Sequence, residues 1–257
     1  MTACGYNNRK SSLLTMEINT AVIACGGKGT RLGTLGIGHQ KCLLPNFGDP
    51  IIGYVVKSLS IAGCRCVYFL IGHKGEQIIN YIGNGASHGI KPIYIESQAH
   101  GTARALGFLI GIIENPFIYS HGDICFRSNL VNNLMRQYHN SGHKATIAVT
   151  PTDLAPTHAH VKLIESQEVE SFEIPYLAPD LTGMCCMGVE VLDPSMLPYM
   201  LEVSETAMVE EGLNNSLVDG NSMSAYYYNA PWFHLQTASD LDRLNNLKLD
   251  DIFNPPR

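Results

Sequence analysis

The feature that most constrains the fold of this chain is a glycine-rich stretch directly after a short apolar run. The run, residues 21–25, is typical of a buried strand, and residues 26–32 then read Gly-Gly-Lys-Gly-Thr-Arg-Leu. Such glycines let the backbone turn sharply and present N–H groups, as in loops that bind phosphate oxygens. Arg31, and Lys41 ten residues later, add cations that can neutralise a triphosphate. The sequence therefore predicts a nucleotide-binding loop.

Other interpretations of the glycine stretch are weaker. A Walker loop requires Ser or Thr directly after Gly-Lys, whereas here Gly29 follows. A dinucleotide fingerprint fails because its third glycine falls at Gly33, one residue late. Its acidic residue, about 20 positions further on, would be Asp49, which lies in a turn that opens a helix. A purely structural turn stays open as an alternative, but it has no need of two nearby cations.

Four short motifs occur at defined spacings. They are Gly-Gly-x-Gly-Thr-Arg-Leu at 26–32, Lys-Cys-Leu-Leu-Pro at 41–45, Gly-Asp-Pro-Ile-Ile at 48–52 and Gly-Thr-Ala at 101–103. Together they resemble the sugar-phosphate nucleotidylyltransferase family, over most of the chain from about residue 20 to residue 247. The resemblance implies transfer of a nucleoside monophosphate from an NTP to a sugar 1-phosphate or a related phosphorylated acceptor. It also implies that pyrophosphate leaves and that the activated nucleotide-sugar serves surface polysaccharide or related glycan biosynthesis.

The resemblance also implies roles for individual residues. Asp123 follows a strand-like segment at the carboxyl edge of the predicted sheet, where ligands bind, and it is expected to hold Mg²⁺, or alternatively Mn²⁺, together with His234. Arg31, Lys41 and Asp123 are the expected catalytic residues. The residues expected to bind the nucleotide are Gly26, Gly27, Lys28, Gly29, Thr30, Glu96, Gln98, Gly101 and Thr102.

The acceptor side departs from the family pattern. Ile174 replaces a lysine that contacts the sugar phosphate, Cys186 replaces an asparagine, and His234 replaces a metal-binding aspartate. Imidazole suits Mn²⁺ or Zn²⁺ better than Mg²⁺. The acceptor is expected to contact Cys186, Gly188 and Lys162, with His158 and His160 as further candidates. These changes keep open an alternative, a non-catalytic paralogue that binds nucleotide or nucleotide-sugar and regulates or scaffolds a partner.

Strand-like and helix-like segments alternate up to about residue 150, including a helix predicted over 102–113. This pattern predicts an α/β fold with a mostly parallel central sheet and helices on both faces. Shorter strand-like segments after residue 150 predict a smaller, mixed, β-rich half. Residues 1–15 are polar and are expected to be a disordered leader. Residues 16–257 are expected to form a single domain. Its nucleotide-binding half would cover about 16–150 and its acceptor-binding half 151–257.

Composition excludes several classes of partner. The net charge of −6 argues against nucleic acid or an acidic membrane as the main partner. No apolar run reaches the roughly 18 residues needed to span a bilayer. The eight cysteines form no C-x-x-C pair, so a reduced cytoplasm is the expected location and a zinc site is not predicted. The sequence leaves open whether the chain forms a homo-oligomer. It favours GTP only weakly over the other NTPs.

Overall fold

The computed structural model describes most of the chain, and the predicted leader lies outside the described residues. The described residues are 18–33, 38–44, 49–98, 100–151, 158–164, 167–174 and 183–246. The strands are β1 (Thr20–Cys25), β2 (Cys66–Ile71), β3 (Lys91–Glu96), β4 (Phe117–His121), β5 (Ile124–Cys125), β6 (Ala145–Pro151), β7 (His160–Ile164), β8 (Glu168–Glu173), β9 (Met184–Leu192), β10 (Met223–Tyr227) and β11 (Phe233–His234). The helices are α1 (Ile51–Ile61), α2 (Gly75–Ile82), α3 (Thr102–Gly107), α4 (Ser128–Ser141), α5 (Val209–Val218) and α6 (Ala238–Asn246).

Within the described part of the chain, nine strands form one sheet in the order β3-β2-β1-β4-β9-β6-β10-β8-β7, and β11 pairs with β5. The strands β3, β2, β1 and β4 run parallel to one another, and β6 and β10 form a parallel pair. The other pairings of the large sheet are antiparallel. The expectation of a mostly parallel sheet therefore holds for the first half alone. The sheet as a whole is mixed, because β9 runs antiparallel between β4 and β6.

Helices lie on both faces of this sheet. One hydrophobic cluster joins α1 and α4 to one face through residues such as Val55, Leu59 and Leu134. The second cluster joins α3 and α5 to the other face through residues such as Leu106 and Leu213. Because both faces are covered, most residues of β1 and β4 are buried. None of the described helices is both long and apolar enough to cross a bilayer.

The helix predicted over 102–113 is shorter than expected. α3 ends at Gly107, and the chain continues in turns whose N–H groups bond three residues back, from Leu109 to Leu106 (3.0 Å) and from Ile110 to Gly107 (3.2 Å). Glycine is a poor helix former, so the two glycines at 107 and 111 explain why the helix ends before residue 113.

Three parallel strands bring their carboxyl ends together at one edge of the sheet. Ala24 in β1 pairs with His121 in β4, and Cys25 pairs with Ile71 in β2. The N–H of Gly122 donates to the Ala24 carbonyl at 2.9 Å. The glycine stretch after β1 and Asp123 after β4 therefore start from neighbouring positions.

Candidate active site

The glycine stretch forms an open loop between β1 and a single 3₁₀ turn, Thr30–Leu32. Gly29 lies in the left-handed region at φ 64°, a conformation that favours glycine, and its carbonyl accepts from the Leu32 N–H at 3.0 Å. Lys28 and Arg31 are exposed on the loop. The loop thus presents backbone amides and two cations to the space beyond β1.

Lys41 and Asp123 form an ion pair beside this loop. Lys41 Nζ lies 2.5 Å from Asp123 Oδ2, and both side chains are largely buried, at 16% and 12% exposure. Burial favours the neutral form of Asp123. The Lys41 ammonium outweighs that effect and holds the pKa of the carboxyl well below its usual range. Asp123 is therefore a carboxylate with a fixed cation at its side.

Gln40 positions Lys41, and the sequence analysis did not identify it. Its side chain is fully buried; Nε2 donates to the Cys25 carbonyl at the end of β1, and Oε1 accepts from the Cys42 N–H at 2.6 Å. The backbone N–H of Gln40 donates to Oε1 of Gln77 at 2.8 Å. These bonds hold the 3₁₀ turn that carries Lys41 against the strand that precedes the glycine loop. The only sign of this role in the sequence was a polar residue between the glycine loop and Lys41.

His234 reaches the same carboxylate from the other side. β11 pairs antiparallel with β5, and the Leu235 N–H donates to the Asp123 carbonyl at 3.0 Å, so the backbone places the two residues together. Nε2 of His234 lies 3.3 Å from Oδ2 of Asp123. Its Nδ1 lies 2.6 Å from Nε2 of His158, whose Nδ1 lies 2.7 Å from the Cys186 carbonyl oxygen.

Two further histidines near Asp123 are neutral at pH 7. Burial lowers the pKa of His121 to about 4, despite the nearby carboxylate. Burial, and then the neighbouring His234, lowers the pKa of His158 to about 3. Gly188 gives the ring of His121 its space, because a Cβ at this position would lie 2.6 Å from His121 Cδ2. Neutral rings leave Lys41 as the main positive charge facing Asp123.

Asp123 and His234 offer a donor set that fits a divalent cation. Two adjacent ligands of an octahedral cation with bonds of about 2.1 Å lie about 3 Å apart, close to the observed 3.3 Å between nitrogen and oxygen. Among the described residues, no group of three His, Cys, Asp or Glu side chains could hold a metal. A cation with two protein ligands takes the rest from phosphate oxygens and water, which is common for Mg²⁺.

One cavity of about 810 Å³ contains most of the predicted site. It is lined by the glycine loop, the ends of β2, β3 and β4, and the start of α3. The predicted catalytic, metal-binding and nucleotide-binding residues all line it: Gly26, Gly27, Lys28, Gly29, Thr30, Arg31, Lys41, Glu96, Gln98, Gly101, Thr102, Asp123 and His234. Thr102 also has a structural bond, since its Oγ1 accepts from the Val209 N–H at 3.2 Å.

The three residues expected to contact the acceptor do not line this cavity. The thiol of Cys186 is buried and donates to Glu190 Oε1 at 3.2 Å, so it faces the core. Lys162 lies on the exposed side of β7, with Nζ 3.7 Å from Glu170 Oε2. Gly188 packs against His121 behind the cavity wall. The residues predicted to bind the nucleotide therefore line one cavity, whereas the three residues expected to contact the acceptor lie outside it.

Known proteins resemble this chain over most of its length. The model of the nucleotidyl transferase family matches residues 20–251. A low-salt glycan biosynthesis nucleotidyltransferase of Haloferax volcanii is 26% identical over 239 residues, which cover 90% of this chain and 66% of that protein. A glucose-1-phosphate thymidylyltransferase of Streptomyces griseus is 22% identical over 236 residues, covering 90% of this chain and 66% of that one.

A solved structure shows the same fold. A Bacillus anthracis protein, assigned as a glucose-1-phosphate thymidylyltransferase and crystallised with sucrose, superposes with a TM-score of 0.80 at 19% identity. The match covers 93% of this chain and 97% of that chain. Several curated relatives match most of this chain. The matched part is between about half and two thirds of the length of those relatives.

Proposed function

Because the chain belongs to the nucleotidyl transferase family, we propose that it transfers a nucleoside monophosphate from an NTP to a sugar 1-phosphate. The observation that carries the proposal is the 2.5 Å ion pair between Lys41 and Asp123 in the cavity beside the glycine loop. The named activity of the Streptomyces relative and the glycan role of the Haloferax relative support a sugar phosphate as the acceptor class.

The reaction requires the protein to position the reactants and to neutralise the charge of the phosphates, rather than to form a covalent intermediate. A phosphate oxygen of the acceptor attacks the α-phosphorus of the NTP in line, and pyrophosphate leaves. Backbone amides of the glycine loop would hold the triphosphate, and Arg31 would stabilise the leaving β- and γ-phosphates. Lys41 would stabilise the charge that develops on the α-phosphate. Glu96 and Gln98, which line the cavity, would contact the base.

Asp123 and His234 are the residues that would hold Mg²⁺ or Mn²⁺. When bound, the cation supplies positive charge beside the phosphates. Asp123 then has two tasks, because it also orients Lys41 through the ion pair. We further propose that residues up to about 150 mainly hold the nucleotide and that the later residues shape the acceptor side.

A test uses pyrophosphate release as the signal. The purified protein receives each NTP with pooled sugar 1-phosphates, in Mg²⁺ and separately in Mn²⁺. Lys41→Met and Asp123→Ala should each lower turnover by about 100-fold or more, the scale of losing a charge that stabilises the transition state. Lys57→Met is the matched control, because Lys57 is an exposed lysine of α1 outside the cavity.

The result separates two candidate functions. Release that needs one NTP and one acceptor, and that Lys41→Met abolishes, supports the transferase. A protein that binds nucleotide but releases no pyrophosphate across the panel supports the non-catalytic paralogue. That second candidate is favoured by one observation, the Cys186 thiol that faces Glu190 instead of the cavity.

A further inference from the structure

A continuous chain of polar contacts leads from the core to the carboxylate of the site. The Cys186 carbonyl contacts Nδ1 of His158 at 2.7 Å, and Nε2 of His158 contacts Nδ1 of His234 at 2.6 Å. Nε2 of His234 then lies 3.3 Å from Oδ2 of Asp123. His158 does not line the cavity, so its contact with the site runs through His234.

The direction of these hydrogen bonds follows from the donor and acceptor inventory. A backbone carbonyl only accepts, so Nδ1 of His158 carries the proton. His158 is 8% exposed, and burial disfavours a charged ring. A neutral ring has one N–H, so Nε2 of His158 accepts and Nδ1 of His234 donates. The remaining nitrogen of His234, Nε2, is the one that faces Asp123.

The packing holds this arrangement in place. The ring of Trp232 meets the ring of His158 edge to face, with centroids 5.5 Å apart. The rings of His158 and His234 are nearly perpendicular, at 85°, with centroids 4.7 Å apart. Since β11 also fixes the backbone of His234 against β5, both the position and the ring orientation of His234 are determined.

We infer that His158 is a positioning residue that aims His234 Nε2 at Asp123, so that the two residues bind one imidazole-accepting divalent cation. Metal-binding histidines commonly donate their other ring N–H to a neighbouring group, which fixes the ring and raises its basicity. An imidazole and a carboxylate together suit Mn²⁺ better than Mg²⁺, a hard cation that prefers oxygen. The inference rests on the proposed function for the cation at Asp123, and it adds which cation is bound there.

The test measures Mn²⁺ binding directly, without NTP or acceptor. Free Mn²⁺ is followed by electron paramagnetic resonance during titration of the wild type, His158→Phe and His158→Gln, with Mg²⁺ as competitor. His158→Phe keeps a ring without its nitrogens and should weaken Mn²⁺ binding by about 10- to 100-fold. His158→Gln offers an amide oxygen to His234 and should recover part of the loss. His139→Phe, on the exposed side of α4, is the matched control.

The outcomes are distinct from those of the transferase test. A loss in His158→Phe, with circular dichroism and thermal unfolding like the wild type, supports the inference even if no transfer is found. His158→Asn, which is too short to reach His234, replaces the Phe variant if that variant does not fold, and it should show the same loss. Wild-type Mn²⁺ affinity in these variants overturns the inference, as does a wild type that binds no Mn²⁺ or prefers Mg²⁺.

Discussion

Replacing Gln40 with leucine should damage both the stability and the site of this protein. Leucine keeps much of the volume of the side chain but removes the donor to the Cys25 carbonyl and the acceptor for the Cys42 N–H. Cys25 and Cys42 are both buried, at 1% and 4% exposure, so water does not replace the lost partners. An unsatisfied buried polar group costs about 1–3 kcal/mol, so two of them lower the free energy of unfolding by about 2–6 kcal/mol.

Urea denaturation measures this loss, and nucleotide binding measures its effect on Lys41. Gln77→Leu serves for comparison, because it removes the acceptor of the Gln40 N–H and a donor to the Gly38 carbonyl but leaves both bonds of the Gln40 side chain, and it should cost about 1 kcal/mol. Gln40→Leu should also weaken NTP binding, since the turn that carries Lys41 loses its attachment to β1. A Gln40→Leu variant within about 1 kcal/mol of the wild type, with unchanged NTP affinity, would refute this account of how Lys41 is held.

Two further predictions concern groups behind the cavity. Burial, and then Glu210, raises the pKa of Glu190 well above its usual value, so the folded protein keeps a proton that the unfolded chain releases above about pH 4.3. The free energy of unfolding should therefore fall by about 1.4 kcal/mol per pH unit for this group, from that pH up to its folded pKa. Glu190→Gln should remove this slope in urea melts at several pH values, and an unchanged slope would count against a protonated Glu190. Gly188→Ala should cost about 2–4 kcal/mol in the same assay, because left-handed backbone at φ 74° and a contact of 2.6 Å with His121 combine. Gly220→Ala has left-handed backbone with no atom within 4 Å of its Cβ, so it should cost about 1–2 kcal/mol, and equal losses would remove His121 from the explanation.

That the glycine loop, Lys41 and Asp123 line one cavity could be predicted because the signals are local. The glycine loop, Lys41 and Asp123 each follow an element whose boundary is visible in the sequence, and parallel strands end at a common edge. Gln40 was missed because its role depends on contact with Cys25, fifteen residues away, which no periodicity encodes.

That Cys186, Gly188 and Lys162 lie outside the cavity could not be predicted, because their positions depend on which face of a strand turns toward the cavity. The pairing of β9 with β6 shifts between Ile147 and Val149, next to Gly188 with its left-handed backbone. The shift leaves the alternation of β9 intact, because β6 advances two residues while β9 advances four, so Cys186 and Glu190 stay on one face. That face packs against the cluster that contains α3 and α5, and the sequence alone does not show which face of β9 turns toward that cluster. The direction of β9 could not be predicted either, because a buried apolar strand has the same sequence pattern whether it runs parallel or antiparallel.

The most direct test of the central claim follows the two ends of the NTP separately. The NTP identified by pyrophosphate release is supplied once with a labelled α-phosphate and once with a labelled γ-phosphate, together with the acceptor. The account predicts that the α-label appears in a product joined to the acceptor and that the γ-label appears in pyrophosphate, with both signals lost in Asp123→Ala. A γ-label recovered as inorganic phosphate, with no α-label on the acceptor, would show hydrolysis and contradict nucleotidyl transfer.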